Sequence, residues 1–256
     1  MDLGLRNQVV VVTGASRGIG RATALGFADE GARLVVCARG EAPLHEAAEA
    51  MRARGAQVCA VVADVTEPEG RRAVVDAAHA AFGPVQVLVH NVGGGGAATF
   101  DETSSEVWDE ALALNLRGPI ELTRAVLPDM RAAGAGCVLF VSSVFGREWG
   151  GRPAYMTAKA AEIACAKSLA RELAPTGIRV NSVAPGSILF PGGSWAKRLA
   201  AEPARIEAFV RAELPLGRFG RAQEVADVVV FLASPRASLV TGACIAVDGA
   251  QSRSLV

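Results

Sequence analysis

A chain of 256 residues is long enough for one α/β domain with a large core. Hydrophobic residues make up 51% and charged residues 20%, which excludes a disordered chain. Lys plus Arg and Asp plus Glu balance at 26 each, which argues against a general affinity for nucleic acid or acidic membranes but not against a local pocket for one phosphate.

Short β-branched runs alternate with longer helical patterns along the whole chain. Strands are predicted over 8–12, 33–38, 57–62, 86–90, 137–142, 179–184 and 244–247. Helices are predicted between them, over about 18–30, 43–54, 67–82, 103–132, 154–173 and 222–233. Thr103-Ser104-Ser105-Glu106 reads as a capped helix start. Several strands are nearly continuous apolar runs, as parallel strands covered on both faces should be. The pattern predicts an α/β fold: a single doubly wound, Rossmann-type domain over 1–256 with a mainly parallel seven-stranded sheet and helices on both faces. The stretch 185–215, with Pro191, Gly192, Gly193 and Pro203, reads as irregular, and a substrate lid is expected over about 187–215.

The five cysteines, at 37, 59, 137, 165 and 244, fall mostly in apolar runs and match no zinc or redox spacing. They read as reduced core thiols of a cytoplasmic protein. No signal segment precedes the first strand, and no apolar run is long enough to span a membrane. His45, His79 and His90 are scattered and form no metal-ligand cluster, so no metal is expected.

Three motifs carry chemistry. Thr13-Gly14-Ala15-Ser16-Arg17-Gly18-Ile19-Gly20 lies between the first strand and the first helix. Glycines there permit a tight turn and close approach of a pyrophosphate to a helix N-terminus. Tyr155-Met156-Thr157-Ala158-Lys159 sets a phenol and an ammonium one turn apart on a helix face, and a nearby ammonium favours a phenolate. Tyr155 is the chain's single tyrosine. Val141-Ser142-Ser143-Val144-Phe145-Gly146 places serines at a strand's carboxyl end, where ligands of doubly wound sheets bind.

Together, in this order and spacing, these segments resemble the short-chain dehydrogenase/reductase family, and the resemblance covers essentially the whole chain. Asp64-Val65, Asn91 and Gly93 in His90-Asn91-Val92-Gly93, Asn115, Arg179–Gly186 and Val247-Asp248-Gly249 extend it. The resemblance implies a nicotinamide-dependent interconversion of a carbonyl and a secondary alcohol. It implies that Tyr155 exchanges the proton at the carbonyl oxygen and that Ser143 orients the carbonyl. By the same resemblance Lys159 acts on the tyrosine and the nicotinamide ribose, and Asn115 holds a relay water. It assigns cofactor binding to Gly14, Ser16, Arg17, Gly18, Ile19, Gly20, Arg39, Asp64, Val65, Asn91, Gly93, Tyr155, Lys159, Pro185, Gly186 and Ile188. A homotetramer is the usual assembly of such relatives. Ser143 is preferred over Ser142 because it precedes x-x-Gly, although it stands one residue nearer Tyr155 than is usual.

Several positions depart from the family pattern. His90 and Val92 stand where Asn and Ala are usual, Gly94-Gly95-Gly96 lengthens the loop, Ala250 replaces a glycine, and Phe190 replaces a common threonine. The second strand ends Val36-Cys37-Ala38-Arg39, without the acid that would bind a ribose 2′-hydroxyl. Arg39 with Arg17 therefore favours NADP(H), with NAD(H) possible. Phe145, Trp149, Phe190 and Trp195 are candidate substrate residues, though such aromatics also serve lid packing. The expected partner is a small carbonyl or alcohol, with no nucleic acid and no membrane. A 3-oxoacyl thioester (acyl-carrier-protein) reductase and a non-catalytic dinucleotide-sensing protein are the alternatives, the second disfavoured because Ser143, Tyr155 and Lys159 are all present.

Overall fold

The computed structural model describes residues 2–255. Among these residues, nine strands and nine α-helices follow in chain order: β1 (Val9–Thr13), α1 (Gly18–Asp29), β2 (Arg33–Ala38), α2 (Glu41–Arg52), β3 (Gln57–Val62), α3 (Pro68–Ala81), β4 (Val87–His90), α4 (Ser105–Leu112), α5 (Gly118–Ala133), β5 (Gly136–Val141), α6 (Pro153–Leu173), β6 (Ile178–Pro185), β7 (Ile188–Leu189), α7 (Ser194–Ala201), α8 (Pro203–Glu213), β8 (Gly220–Arg221), α9 (Ala222–Ala233) and β9 (Cys244–Val247). Seven strands form one parallel sheet in the order β3-β2-β1-β4-β5-β6-β9. The chain builds outward from β1 in one direction and from β4 in the other, so a crevice opens beyond the carboxyl ends of β1 and β4.

The valine-rich strands are buried on both faces, and their side chains alternate between two cores. Val10, Val12, Leu34, Val36 and Leu139 pack with α1, α2 and α9. Val11, Val35, Leu88, Val138 and Phe140 pack with α3, α5 and α6. The expected seven-stranded doubly wound α/β fold is therefore what the chain adopts.

Two expectations need correction. The single helix predicted over 103–132 is two helices, α4 and α5, joined by a π-helical turn over Ala113–Arg117. The Gly118 N–H donates to Ala113 O, five residues back, and Pro119 has no N–H to restore the α-helical ladder. Gly118 also lies so close to the Val65 carbonyl that a Cβ would stand 2.9 Å from its oxygen. The stretch expected to be irregular contains β7, α7 and α8, and β7 pairs with β8. Gly193 and Pro203 punctuate helices there: Gly193 is the N-cap of α7 and Pro203 begins α8.

Candidate active site

β1 ends in the glycine loop, and the carboxyl end of β4 fixes its shape. Asn91 Nδ2 donates to the Thr13 and Gly14 carbonyls at 3.1 Å, and Thr13 Oγ1 accepts from the Asn91 N–H at 3.0 Å. Gly14 and Gly18 have φ of 65° and 56°, a conformation that favours glycine. A Cβ on Gly20 would stand 2.3 Å from both Asn91 Nδ2 and Gly14 O, so only glycine permits this packing. Arg17 occupies the N-cap of α1 with no side-chain cap, which leaves N–H groups at the helix start to meet an anion.

Around this loop lies a cleft of about 1350 Å³. That exceeds the size of a typical site for one small ligand and leaves room for a dinucleotide beside a substrate. Gly14, Ser16, Arg17, Ile19, Arg39, Asp64, Val65, Asn91, Gly93, Pro185, Gly186 and Ile188 all line it, as do Ser143, Tyr155 and Lys159. Gly18, Gly20 and Asn115 are not among the lining residues; they pack against Phe190, Asn91 and the Gly94 backbone. The glycine cradle, the uncapped helix and this volume fit a nicotinamide dinucleotide.

At one end, Arg39 Nη1 lies 3.5 Å from Asp64 Oδ2, and the Arg39 side chain is 74% exposed. Burial would raise the Asp64 carboxyl, but hydrogen bonds from Thr66 and the charge of Arg39 hold it below the ordinary range. Arg17 Nη1 donates to the Gly192 carbonyl at 3.3 Å.

At the other end are the serines and α6. Ser142 Oγ donates to the Lys159 carbonyl at 3.0 Å and is thereby tied to α6. Ser143 Oγ accepts from the Phe145 N–H at 3.2 Å, which leaves its own proton for a ligand in the cleft. Half-buried Tyr155 lies in the first turn of α6. One turn on, Lys159 is buried and its Nζ donates to the Val141 carbonyl and to Glu162 Oε2, both at 2.9 Å. A Cβ on Gly93 would stand 3.1 Å from Lys159 Nζ and 3.0 Å from Asn115 Oδ1, so glycine lets the loop settle between them.

Asn115 clamps that loop. Its Nδ2 donates to the Gly94 and Ala111 carbonyls at 2.8 Å, and its Oδ1 accepts from the Gly94 N–H at 3.0 Å. Its side-chain amide is thus engaged with backbone. His90 is a core residue: its Nε2 pairs with Thr123 Oγ1 at 2.8 Å, its ring stacks on Phe140, and burial followed by the Lys159 charge pushes the imidazole down to about 3.

The aromatic candidates divide. Phe145 lines the cleft with Gly150 and Gly151 pressed against its ring. Phe190 also lines it and sits over the glycine loop: a Cβ on Gly18 would stand 2.7 Å from its ring. Trp195 borders the cleft while stacking on Phe209 at 4.6 Å, so it also packs α7 on α8. Trp149 corrects the expectation: it is 91% exposed and outside the lining, because the loop after Ser143 turns outward.

Two residues here were not anticipated. Gln251 Oε1 accepts from the Ser187 N–H at 2.7 Å and Gln251 Nε2 donates to Ser187 Oγ at 3.0 Å, which brings the C-terminal segment to the cleft wall. Glu162 is fully buried beside Lys159. It shares the buried face of α6 with Ala158, Lys159, Ala166 and Ala170, a face that the packed structure defines.

The family described as enoyl-(acyl carrier protein) reductase matches residues 14–250. The 3-oxoacyl-[acyl-carrier-protein] reductase of Thermotoga maritima is 38% identical over 96% of this chain and 98% of its own. The chain is a short-chain dehydrogenase/reductase. It is an NAD(P)-dependent oxidoreductase acting on CH–OH groups and carbonyls. Members of this family with solved structures superpose closely. The L-sorbose reductase of Gluconobacter frateurii, complexed with NADPH and L-sorbose, is 37% identical with a TM-score of 0.94 and full coverage of both chains. A 7α-hydroxysteroid dehydrogenase complexed with NADH and 7-oxo glycochenodeoxycholic acid is 30% identical with a TM-score of 0.91, over 100% of this chain and 98% of that one. Family members of this shape thus differ in both cofactor and substrate. Among the described residues no helix is long and apolar enough to cross a membrane, and no cluster of three or more His, Cys, Asp or Glu side chains is placed to hold a metal ion.

Proposed function

We propose that the protein is an NADP(H)-preferring oxidoreductase that interconverts a small-molecule ketone and its secondary alcohol, with Tyr155 as the acid/base. The observation that supports this reading is that Ser143, Tyr155 and Lys159 line the same cleft as Gly14, Ser16, Arg17 and Ile19 of the glycine loop. The bound cofactor supplies or accepts the hydride. The chain's own residues do the rest. Ser143 keeps a free proton to donate to the carbonyl oxygen, while Ser142 is committed to α6. Tyr155 gives a proton to that oxygen in reduction and takes it back in oxidation. Lys159, buried and held by Val141 O and Glu162, would bind the nicotinamide ribose. Asn115 holds the Gly93–Gly94 backbone in place, so it positions the floor of the cleft.

Arg17 and Arg39 support the NADP(H) preference. Both line the cleft, Arg39 paired with Asp64, and no carboxylate stands at positions 37 or 38, where it would repel a 2′-phosphate. One observation favours a second reading, a 3-oxoacyl thioester: Lys197, Arg198 and Arg205 of the lid line the cleft, and the Thermotoga maritima relative bears that activity in its name. For assembly we infer a homotetramer, since Ala160 and Ala164 leave an exposed, close-approach face on α6; light scattering at working concentration tests it, and a monomer refutes it.

The deciding experiment is oxidation of NADPH and of NADH, each screened against simple ketones, diketones and 3-oxoacyl thioesters. Faster turnover of a ketone with NADPH supports the first reading. Thioester turnover alone selects the second, and no turnover with any of them leaves a dinucleotide-binding role.

A further inference from the structure

Glu162 is out of place by the ordinary rules of burial. A carboxylate is almost never fully buried without a strong partner. Its partner is Lys159, with Oε2 at 2.9 Å from Nζ and both side chains 1% exposed. The other oxygen, Oε1, accepts no hydrogen bond. Ser142 donates to the Lys159 carbonyl and also stands close enough to the Glu162 carboxyl to favour its ionised form. Such an ion pair is poor value for stability alone, since desolvation of two charges offsets most of their attraction. It lies instead beside the group that acts on Tyr155. Two of the three Lys159 N–H bonds go to Val141 O and Glu162 Oε2, and the ammonium borders Gly93 at the cleft floor.

We propose that Glu162 is a positioning residue for Tyr155 and Lys159: it anchors the ammonium against β5 and offsets its charge, and so governs how strongly Lys159 favours ionisation of Tyr155. The surroundings make the two charges matter to each other. From β4, His90 faces Lys159 but is neutral, its imidazole pushed down to about 3 by burial and then by Lys159. Just past β5 comes the Ser142 hydroxyl, and from the π-turn the Asn115 amide, both uncharged. On α6, Cys165 feels Glu162, and burial pushes its thiol up, so it too is neutral near pH 7. Burial pushes the Glu162 carboxyl itself up to about 7 against the pull of Lys159. It therefore carries its charge through the alkaline range in which a phenol ionises.

The proposal rests on the assignment of Tyr155 and Lys159 to carbonyl chemistry, but its test does not require a substrate. Tyr155 is the single tyrosine of the chain, so its ultraviolet phenolate band can be titrated directly, with Tyr155→Phe as the blank for the three tryptophans. In Glu162→Gln, which keeps an acceptor for Lys159 and removes the charge, the phenolate should appear at a pH lower by about one unit. The acid limb of kcat/KM for alcohol oxidation should move with it. Glu162→Leu gives the same direction if the glutamine variant does not fold. Coincident phenolate titrations in wild type and variant, whatever the melting temperature does, overturn the proposal, as does failure of both variants to fold. If the wild type oxidises no alcohol, the functional reading falls while the phenolate titration still decides the role of Glu162.

Discussion

The glycine loop and the lid border the same cleft, yet different forces hold them. At the loop, Thr13, Gly14, Gly20 and Asn91 interlock through bonds to backbone atoms, with no room for an added Cβ. Across the cleft, α7 and α8 are joined by the rings of Trp195, Phe209 and Phe219, and they reach the loop through Phe190 and the bond from Arg17 to Gly192. Most of the α7 and α8 surface is exposed or half-buried. Backbone-directed bonds fix one geometry. Ring packing accepts many side chains of similar size. The loop side should therefore set the reaction, and the lid should set which molecule undergoes it.

Substitutions can break that division or sharpen it. Short of the tyrosine itself, the largest effect is expected at the strand-end serines. Ser143→Ala should lower kcat by about 10²–10³-fold, as loss of one donor to a reacting oxygen does. Ser142→Ala should cost far less turnover, because its hydroxyl serves the Lys159 carbonyl. The reverse ranking in steady-state kinetics would move the role to Ser142. Next comes Arg39→Asp, which should weaken NADPH binding roughly 10- to 100-fold and spare NADH, read by fluorescence titration. Tighter binding of NADH than NADPH by the wild type would refute the assignment.

The floor also predicts a pH signature. His90 has its folded value below the ordinary 6.5, so its contribution to stability is present above 6.5 and is lost as pH falls toward about 3. That loss has a slope of about 1.4 kcal/mol per pH unit. Glu162 acts in the opposite sense: raised from 4.5 to about 7, its contribution is present below 4.5 and is lost as pH rises through 7. Urea unfolding at about pH 5 and about pH 7 should show His90→Gln tilting the profile toward acid stability and Glu162→Gln tilting it toward alkaline stability. Parallel profiles would mean that neither side chain changes its protonation on folding. The smallest effect is expected in the lid, where Phe190→Ala should shift the KM of substrate or cofactor a few-fold with kcat nearly unchanged. A collapse of kcat there would erase the distinction between floor and lid.

The same contrast explains what could be read from the chain alone. Strands at 33–38, 57–62 and 244–247 and the helix at 222–233 fall where the hydrophobic period places them, because burial on a sheet or helix face enforces that period. The helix expected at 103–132 fails where tertiary contact wins: the approach of Gly118 to Val65 and the missing N–H of Pro119 impose a π-turn that no periodicity announces. The lid was misread because glycine and proline punctuate helices as readily as they make loops. Ser143, Tyr155 and Lys159 stand out in the sequence because their spacing is local to a strand end and one helix face, and all three line the cleft. Glu162 does not, since the meaning of an acid three residues after a lysine depends on burial that only the packed helix reveals. Trp149 erred the other way, near Ser143 in sequence but turned out to solvent.

The central claim is that Tyr155 exchanges the proton at the reacting oxygen, and Tyr155→Phe tests it most directly. On a carbonyl compound that the wild type reduces, the variant should bind NADPH within about twofold of the wild type and lose turnover by about 10²–10⁴-fold, the range that general acid–base catalysis supplies. Near wild-type turnover by Tyr155→Phe, with cofactor binding intact, would contradict the account.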